Sequence, residues 1–205
     1  MSHSPRTAEQ SRQALLRAAQ KLFVERGFDR TRVDDVARAA GINKRMIYAY
    51  FGSKAGLYQE VLRTNLAAAV EQAGDIGALA DDPAARVEAT LRWYFSYLAT
   101  NHDFVRLLGR QTLDQDRWPT AELIALAMRG LGRLGQAIED GIRAGVFRPD
   151  VGVREVEVLV HSALLGLFWR RKLIADLLPH DPQQPDPLDR LLDNLVALVV
   201  RGLRA

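Results

Sequence analysis

The sequence predicts an all-α protein, and three observations carry that expectation. Apolar residues recur at spacings of three and four along most of the 205 residues, while period-two alternation is scarce. Residues that cap helix starts stand just ahead of those periodic runs, at Thr7, Asn43, Ser53 and Asp82. Glycine and proline fall between the runs, at Gly27, Gly41, Gly74 to Gly77, Gly145 to Gly152 and the proline-rich stretch 179–187. About nine helices are expected, arranged as a three-helix N-terminal domain followed by a larger C-terminal helical domain.

The first helix starts near Thr7, where Thr7-Ala8-Glu9-Gln10 matches a capping box, and its stripe is Leu15, Ala18, Ala19, Leu22 and Phe23. Gly27 ends it. Thr31 or its neighbour opens a second helix, whose first turn carries Asp34 and Asp35 where the macrodipole favours them. Gly41 breaks the chain and Asn43 caps a third helix. Ser53 caps a fourth, with Leu57, Tyr58, Val61, Leu62 and Leu66 on its buried side. Asp82-Pro83 opens a helix that runs to about Thr100, and another covers roughly 103–113. Trp118-Pro119 marks the start of a long helix reaching about Ala144. That helix holds Gly130, Gly132, Gly135 and Gly141, each costing up to about 1 kcal/mol against alanine. Close packing, a kink or room for a ligand would offset the cost. A strongly apolar helix is expected from about Val153 to Leu177. Pro187 opens the last one after a loop that proline keeps from being helical.

Composition narrows the function classes. The net charge of +3 is modest, but residues 1–52 hold ten Lys and Arg against five Asp and Glu, so the rest of the chain is slightly acidic. A basic quarter on an acidic body fits an electrostatic footprint confined to one end, or equally a solvated basic helix face. The absence of cysteine excludes disulfides, thiolate metal sites and cysteine nucleophiles. His3, His102, His161 and His180 are scattered without metal-ligand spacing, and there is neither a glycine-rich phosphate loop nor a nucleophile motif. No enzyme, metal or cofactor is therefore expected. The N-terminus lacks an apolar signal segment, and no apolar run reaches the ~18 residues that span a bilayer. A cytoplasmic protein with no membrane partner is expected.

Residues 32–51 carry the chemistry. Val33, Val36 and Ala37 give the second helix one buried face, and Gly41 supplies the positive φ of a tight interhelical turn. Ile42, Ile47 and Phe51 close a small core. Lys44, Arg45, Tyr48 and Tyr50 are left on the outer face of the third helix, where lysine and arginine can reach phosphates or guanine edges and tyrosine hydroxyls suit phosphate oxygens. This is the layout of a helix-turn-helix, whose second helix enters the DNA major groove. A generic three-helix core with a charged face shares part of the pattern. Lys54 stands at the start of the fourth helix, a favourable place for an anion.

The stretch from Phe23 to Leu57 resembles the signature of the tetracycline-repressor (TetR) family. The elements that match are Phe23, Gly27-Phe28, Thr31, Asp35-Val36-Ala37, Ala40-Gly41-Ile42, Ile47-Tyr48, Phe51, Ser53-Lys54 and Leu57. The resemblance covers about 60 residues and extends to the rest of the chain as architecture only. It implies a DNA-binding domain at 7–68 and a ligand-binding and dimerisation domain at 75–205. It further implies a transcriptional regulator, usually a repressor, which acts as a homodimer on a palindromic double-stranded DNA operator and leaves it when a small-molecule effector binds. Carried over by position, Thr31 and Arg32 contact phosphate, Lys44 and Arg45 read bases, and Tyr48, Tyr50 and Lys54 hold phosphates. Met46 and Ala49 depart from the family pattern. Met46 can meet a thymine methyl or pack against its own domain.

The C-terminal residues are less specific. Val156, Val160 and Leu164, with Leu188, Leu192, Leu195 and Val199, form apolar stripes on two helices that can pair with their symmetry mates, or serve as the subunit's own core. Trp93 and Tyr97 share a helix face, and with Phe104, Trp118, Trp169, Met128 and the polar His102, Gln111 and His161 they suit an amphipathic pocket. Core aromatics and solvated polar groups are the plainer account of each. An architectural DNA-binding protein without a ligand is the rival reading, and the large, weakly charged body argues against it.

Overall fold

The computed structural model describes residues 7–74, 80–113, 120–178 and 185–204, the side chains of 111–113 and Leu131 excepted. Among the described residues the chain forms ten helices: α1 (Ala8–Arg30), α2 (Val33–Ala40), α3 (Arg45–Phe51), α4 (Lys54–Gln72), α5 (Pro83–Thr100), α6 (His102–Leu113), α7 (Ala121–Arg143), α8 (Val153–Trp169), α9 (Arg171–Leu177) and α10 (Pro187–Leu203). No strand appears among them beyond an isolated bridge between Phe147 and Arg204.

The local chemistry sets most boundaries. The Thr7 hydroxyl accepts from the Gln10 N–H while the Gln10 side chain accepts from the Thr7 N–H, closing the capping box. Ser53 Oγ accepts from the Gly56 N–H, Asn43 Oδ1 from the Arg45 N–H, and the Asp82 carboxylate from the Ala85 N–H. Gly27 interrupts α1 at φ +79°, and the chain takes one further helical turn to Arg30 before it leaves. Trp118-Pro119, offered as the start of the long helix, lies outside the described residues, as do most of the proline-rich stretch 179–187 and the expected fade of α4 beyond Gly74.

One element differs from expectation. The helix expected over 153–177 is two helices, with a break at Arg170 (φ −103°, ψ 17°). No proline or glycine marks that point. The Trp169 indole N–H donates to the Val105 carbonyl at 3.0 Å, a tertiary bond invisible in the local pattern.

The chain divides into two compact units, one of Met1–Ala68 with Arg106–Ile124, the other of Ala69–Val105 with Ala125–Ala205. In the first unit, α1 packs on α2. Its core gathers Leu15, Phe23, Val36, Ile47, Leu57 and Val61 with Leu107 from α6 and Leu123 from α7. Phe23, Phe28 and Tyr58 form an aromatic cluster with centroids 4.9–5.9 Å apart. In the second unit α5 packs against α8 and α10, with Val87, Leu91, Leu98, Ile138 and Leu164 fully buried. The glycines of α7 separate by role. A Cβ at Gly141 would collide with the Phe147 ring and one at Gly135 with the Glu157 carboxylate, whereas a Cβ at Gly132 would meet nothing.

Candidate nucleic-acid interface

The helix-turn-helix is built from a short apolar strip. Val36, Ala37 and Ala40 bury one face of α2, Gly41 turns the chain at φ +66°, and its N–H closes on the Ala37 and Arg38 carbonyls. Gly41 can hold this left-handed conformation without the Cβ penalty that any other residue bears. Ile47 is fully buried under α3 and fixes which face of that helix turns outward. Lys44 just ahead of α3 and Arg45, Tyr48 and Ala49 on it are exposed. Tyr48 is 51% exposed. Arg45 and Arg32, at the head of α2, are exposed and enter no ion pair among the described residues.

Other expected contact residues are placed differently. Thr31 is a correction. Its side chain is 1% exposed, and its hydroxyl donates to the Gly27 carbonyl at 2.7 Å and the Leu22 carbonyl at 3.2 Å. A buried hydroxyl spent on backbone shapes the turn into α2 and does not face a phosphate. Met46 is half-buried and packs against the domain core. Tyr50 is also half-buried against that core, its ring edge-on to Phe51 at 6.1 Å. Lys54 donates to the Asp29 carbonyl at 3.3 Å and lies 4.2 Å from the Phe28 ring centroid, so it ties α4 to the end of α1.

Charges around α2 and α3 are organised. Asp35 is held by Arg26 at 3.2 Å and Arg38 at 3.1 Å. Asp34 pairs with Lys44 at 3.0 Å, and this hydrogen-bonded carboxylate holds the lysine ammonium above its ordinary pKa. Further back, Glu60 is bound by Arg12 and by Arg63, and the Arg63 hydrogen bonds hold its carboxyl below the ordinary range against the opposing effect of burial. Arg110 of α6 donates to the Val24 and Glu25 carbonyls at 2.9 Å each, placing a cation at the turn that ends at Gly27.

In the second unit, Trp93 stacks on Tyr97 at 5.3 Å and Tyr97 meets Phe104 edge-on at 5.6 Å. Trp169 reaches the neighbouring Val105 carbonyl. His161 stands apart from that run. Its Nδ1 lies 2.7 Å from the hydroxyl of Tyr94, a residue that the four-residue spacing of Trp93 and Tyr97 passes over. Burial pushes the Tyr94 phenol well up and the His161 imidazole down, so the pair is neutral. His102 is exposed at the head of α6. Met128 lines a separate recess of about 470 Å³ between α7 and α8, with Gly132, Gly135, Arg154 and Glu157. The Gln111 side chain and Trp118 lie outside the described residues.

The expected dimer residues divide between the subunit's own core and partly open positions. Val160, Leu164, Leu188 and Leu192 are buried within the single subunit, and Val156, Leu195 and Val199 are half-buried. Both faces of α8 are apolar, so the pattern alone does not separate core from surface. The sides left open carry Leu159 on α8, 68% exposed, and Leu198 on α10, 71% exposed. Ser162, Ala163 and Gly166 continue them on α8, and Leu191, Leu195 and Gly202 on α10, at spacings of three and four.

Two comparisons cover both ends of the chain. Residues 15–61 match the bacterial regulatory proteins of the tetR family, and residues 83–199 match the tetracyclin repressor-like C-terminal domain. The chain is 28% identical over 199 residues to the HTH-type transcriptional repressor NicS of Pseudomonas putida, spanning 96% of this chain and 94% of that one. It is 29% identical over 164 residues to the HTH-type transcriptional repressor KstR2 of Rhodococcus jostii, spanning 78% and 79%. Among solved structures, PfmR of Thermus thermophilus superposes with a TM-score of 0.66 at 25% identity, covering 98% of this chain and 100% of that one. The ketosteroid regulator KstR2 of Mycobacterium tuberculosis gives 0.66 at 23% identity over 95% of each chain. With a glycine-turned helix pair that exposes Arg45 and family matches over residues 15–61 and 83–199, the chain belongs to the tetR family of transcriptional regulators.

Proposed function

We propose that this regulator is a ligand-released repressor that binds a palindromic operator as a homodimer in the cytoplasm. The observation that carries the reading is the outer face of α3, where Arg45 is exposed and unpaired among the described residues beside Lys44 and Tyr48, over a buried Ile47. An arginine in the first turn of the second helix is placed to meet guanine O6 and N7 in the major groove, while Tyr48 and Arg32 reach phosphates. Residues 7–68 form the DNA-binding domain. The remainder, with Arg106–Ile124 folded into the first unit, binds effector and dimerises. The open face of Leu159 and Leu198 is the contact with the second subunit, which sets the two α3 helices about one DNA turn apart.

The effector is a small molecule held near Trp93, Tyr97 and Phe104, with the Tyr94–His161 pair supplying polarity in an otherwise apolar interior. Its binding shifts the population toward an arrangement that no longer fits the operator, with a coupling of about 1–3 kcal/mol typical of such linkage. Repression is favoured over activation because NicS and KstR2 are both named repressors. The test is a gel shift with DNA upstream of the protein's own gene at moderate salt, with and without unlabelled competitor. A shifted band that specific competitor removes and random DNA does not supports operator binding. Equal competition by both leaves only sequence-independent binding and overturns it.

A further inference from the structure

Asp34 stands in the first turn of α2 and faces the head of α3. Its carboxylate lies 3.0 Å from the Lys44 ammonium, and both side chains are more than half exposed. The two acidic residues of this turn are not equivalent. Asp35 is engaged by Arg26 and Arg38. The ion pair of Asp34 among the described residues is to Lys44. In the free protein, then, one of the two cations at the head of α3 is already neutralised, while Arg45 beside it is not.

That asymmetry has a consequence for DNA binding. A lysine ammonium is a compact charge that meets any phosphate with little regard for geometry, whereas arginine's planar fork matches a guanine edge. Sequence-independent affinity grows with the number of phosphates neutralised and the counterions released. A lysine held by a carboxylate must give up that partner to contribute to such binding. On the correct sequence the same pair keeps Lys44 in one direction, beside the base-reading arginine.

We propose that Asp34 is a positioning residue for specificity: by holding Lys44 against α2 it suppresses binding to arbitrary DNA more than binding to the operator. This rests on the docking of α3 proposed above. Lys44 is an ammonium near neutrality with or without Asp34, whose carboxylate only raises its pKa further. The effect is therefore one of orientation and charge pairing.

The experiment compares the full-length wild type with Asp34→Asn, which keeps shape and turn chemistry while removing the charge. Affinities are measured by fluorescence anisotropy over a salt series for two duplexes. One is selected by the wild type from a randomised pool, and the other is a shuffle of it. Asp34→Asn is expected to bind the shuffled duplex several-fold tighter, with a log–log salt slope steeper by about one. Affinity for the selected duplex should change less, so the specificity ratio falls. In a Lys44→Ala background the same change should lose most of this effect. An unchanged or higher ratio, or an effect undiminished without Lys44, overturns the proposal while leaving α3 docking intact. A wild type that selects no sequence from the pool overturns both.

Discussion

Glu157 of α8 places one carboxylate oxygen 3.1 Å from the backbone N–H of Gly135, in the middle of α7. The other oxygen accepts from Arg154 at 2.8 Å, so a glutamate that is 3% exposed is satisfied on both sides. The approach is open only because residue 135 has no side chain, since a Cβ there would collide with Glu157. Gly135→Ala is thus expected to destabilise the fold by about 1–3 kcal/mol through overpacking. Gly132→Ala, three residues earlier and with nothing near its Cβ, should stabilise by up to about 1 kcal/mol through helix propensity. Urea midpoints of the two variants check this. If both shift the same way, close packing does not explain the glycine at 135.

Arg110 ties α6 to the end of α1. Its guanidinium donates to two carbonyls of the turn ending at Gly27 and lies 3.2 Å from where a Cβ of residue 27 would stand. Loss of two charge-assisted hydrogen bonds in Arg110→Ala should cost about 1.5–3 kcal/mol. Arg110→Lys should restore little, because a single ammonium cannot serve both carbonyls at once. Gly27→Ala should cost about 1–3 kcal/mol, since φ +79° with ψ 174° is open to glycine and strained for alanine. Thermal denaturation of the three variants against wild type decides, and an Arg110→Lys variant as stable as wild type would reduce the interaction to simple charge.

Arg45 and Lys54 separate reading from holding. Arg45 is exposed on α3 with no protein partner for its charge among the described residues, so Arg45→Ala should weaken operator binding roughly 10- to 100-fold and relax sequence preference. Lys54 is half-buried over Phe28 and bonded to Asp29. Lys54→Ala should weaken binding to all duplexes alike and lower the melting temperature as well. Identical affinity of both variants and wild type for a selected duplex would exclude this docking of α3.

The split between what was readable and what was not follows the range of each interaction. The caps at Thr7, Asn43, Ser53 and Asp82 act within three residues, so residue type and spacing reveal them. Gly41 was legible for the same reason. The burial of Thr31 was not, because its hydroxyl reaches the Leu22 carbonyl nine residues back across the Gly27 break. Nor was the pairing of Asp34 with Lys44, which needs the folded angle between α2 and α3. On α8, Leu159 and Val160 are adjacent and equally apolar, yet one is open and the other closed, a difference that only tertiary packing makes.

That distinction makes the dimer testable at a residue level. Leu159 and Leu198 are the large apolar side chains most exposed on α8 and α10, and neither contributes to the subunit's core. Leu159→Glu with Leu198→Glu should leave helicity and melting of the subunit nearly intact while converting the protein to monomer at micromolar concentration. Leu164→Glu, at a fully buried site, should instead unfold the domain. Sedimentation velocity with circular dichroism on the same samples separates the two outcomes. A double variant that still sediments as a dimer would place the contact elsewhere.

The Tyr94–His161 pair should give the second unit a pH dependence of defined sign. Burial lowers the imidazole below its ordinary value of 6.5, and burial also keeps the Tyr94 phenol protonated. A neutral imidazole then accepts at Nδ1 from the Tyr94 hydroxyl at 2.7 Å. In the unfolded chain His161 takes its proton first, so the unfolded state binds more protons between the two pKa values. Stability is therefore full above about 6.5 and is lost progressively as the pH falls below it toward the lower folded-state pKa. His161→Gln removes this titration, so its unfolding midpoint should fall less steeply than that of wild type between about pH 7 and pH 5. Tyr94→Phe leaves Nδ1 without its donor and should cost about 1–3 kcal/mol at neutral pH. Because protonation requires the phenol to turn away or surrender its hydrogen bond, the Phe variant should also bind a proton at His161 more readily, raising its folded-state pKa toward the unfolded value and narrowing the pH range over which stability is lost. Parallel pH profiles for wild type and His161→Gln would show that the imidazole stays solvated enough to titrate normally in the folded protein.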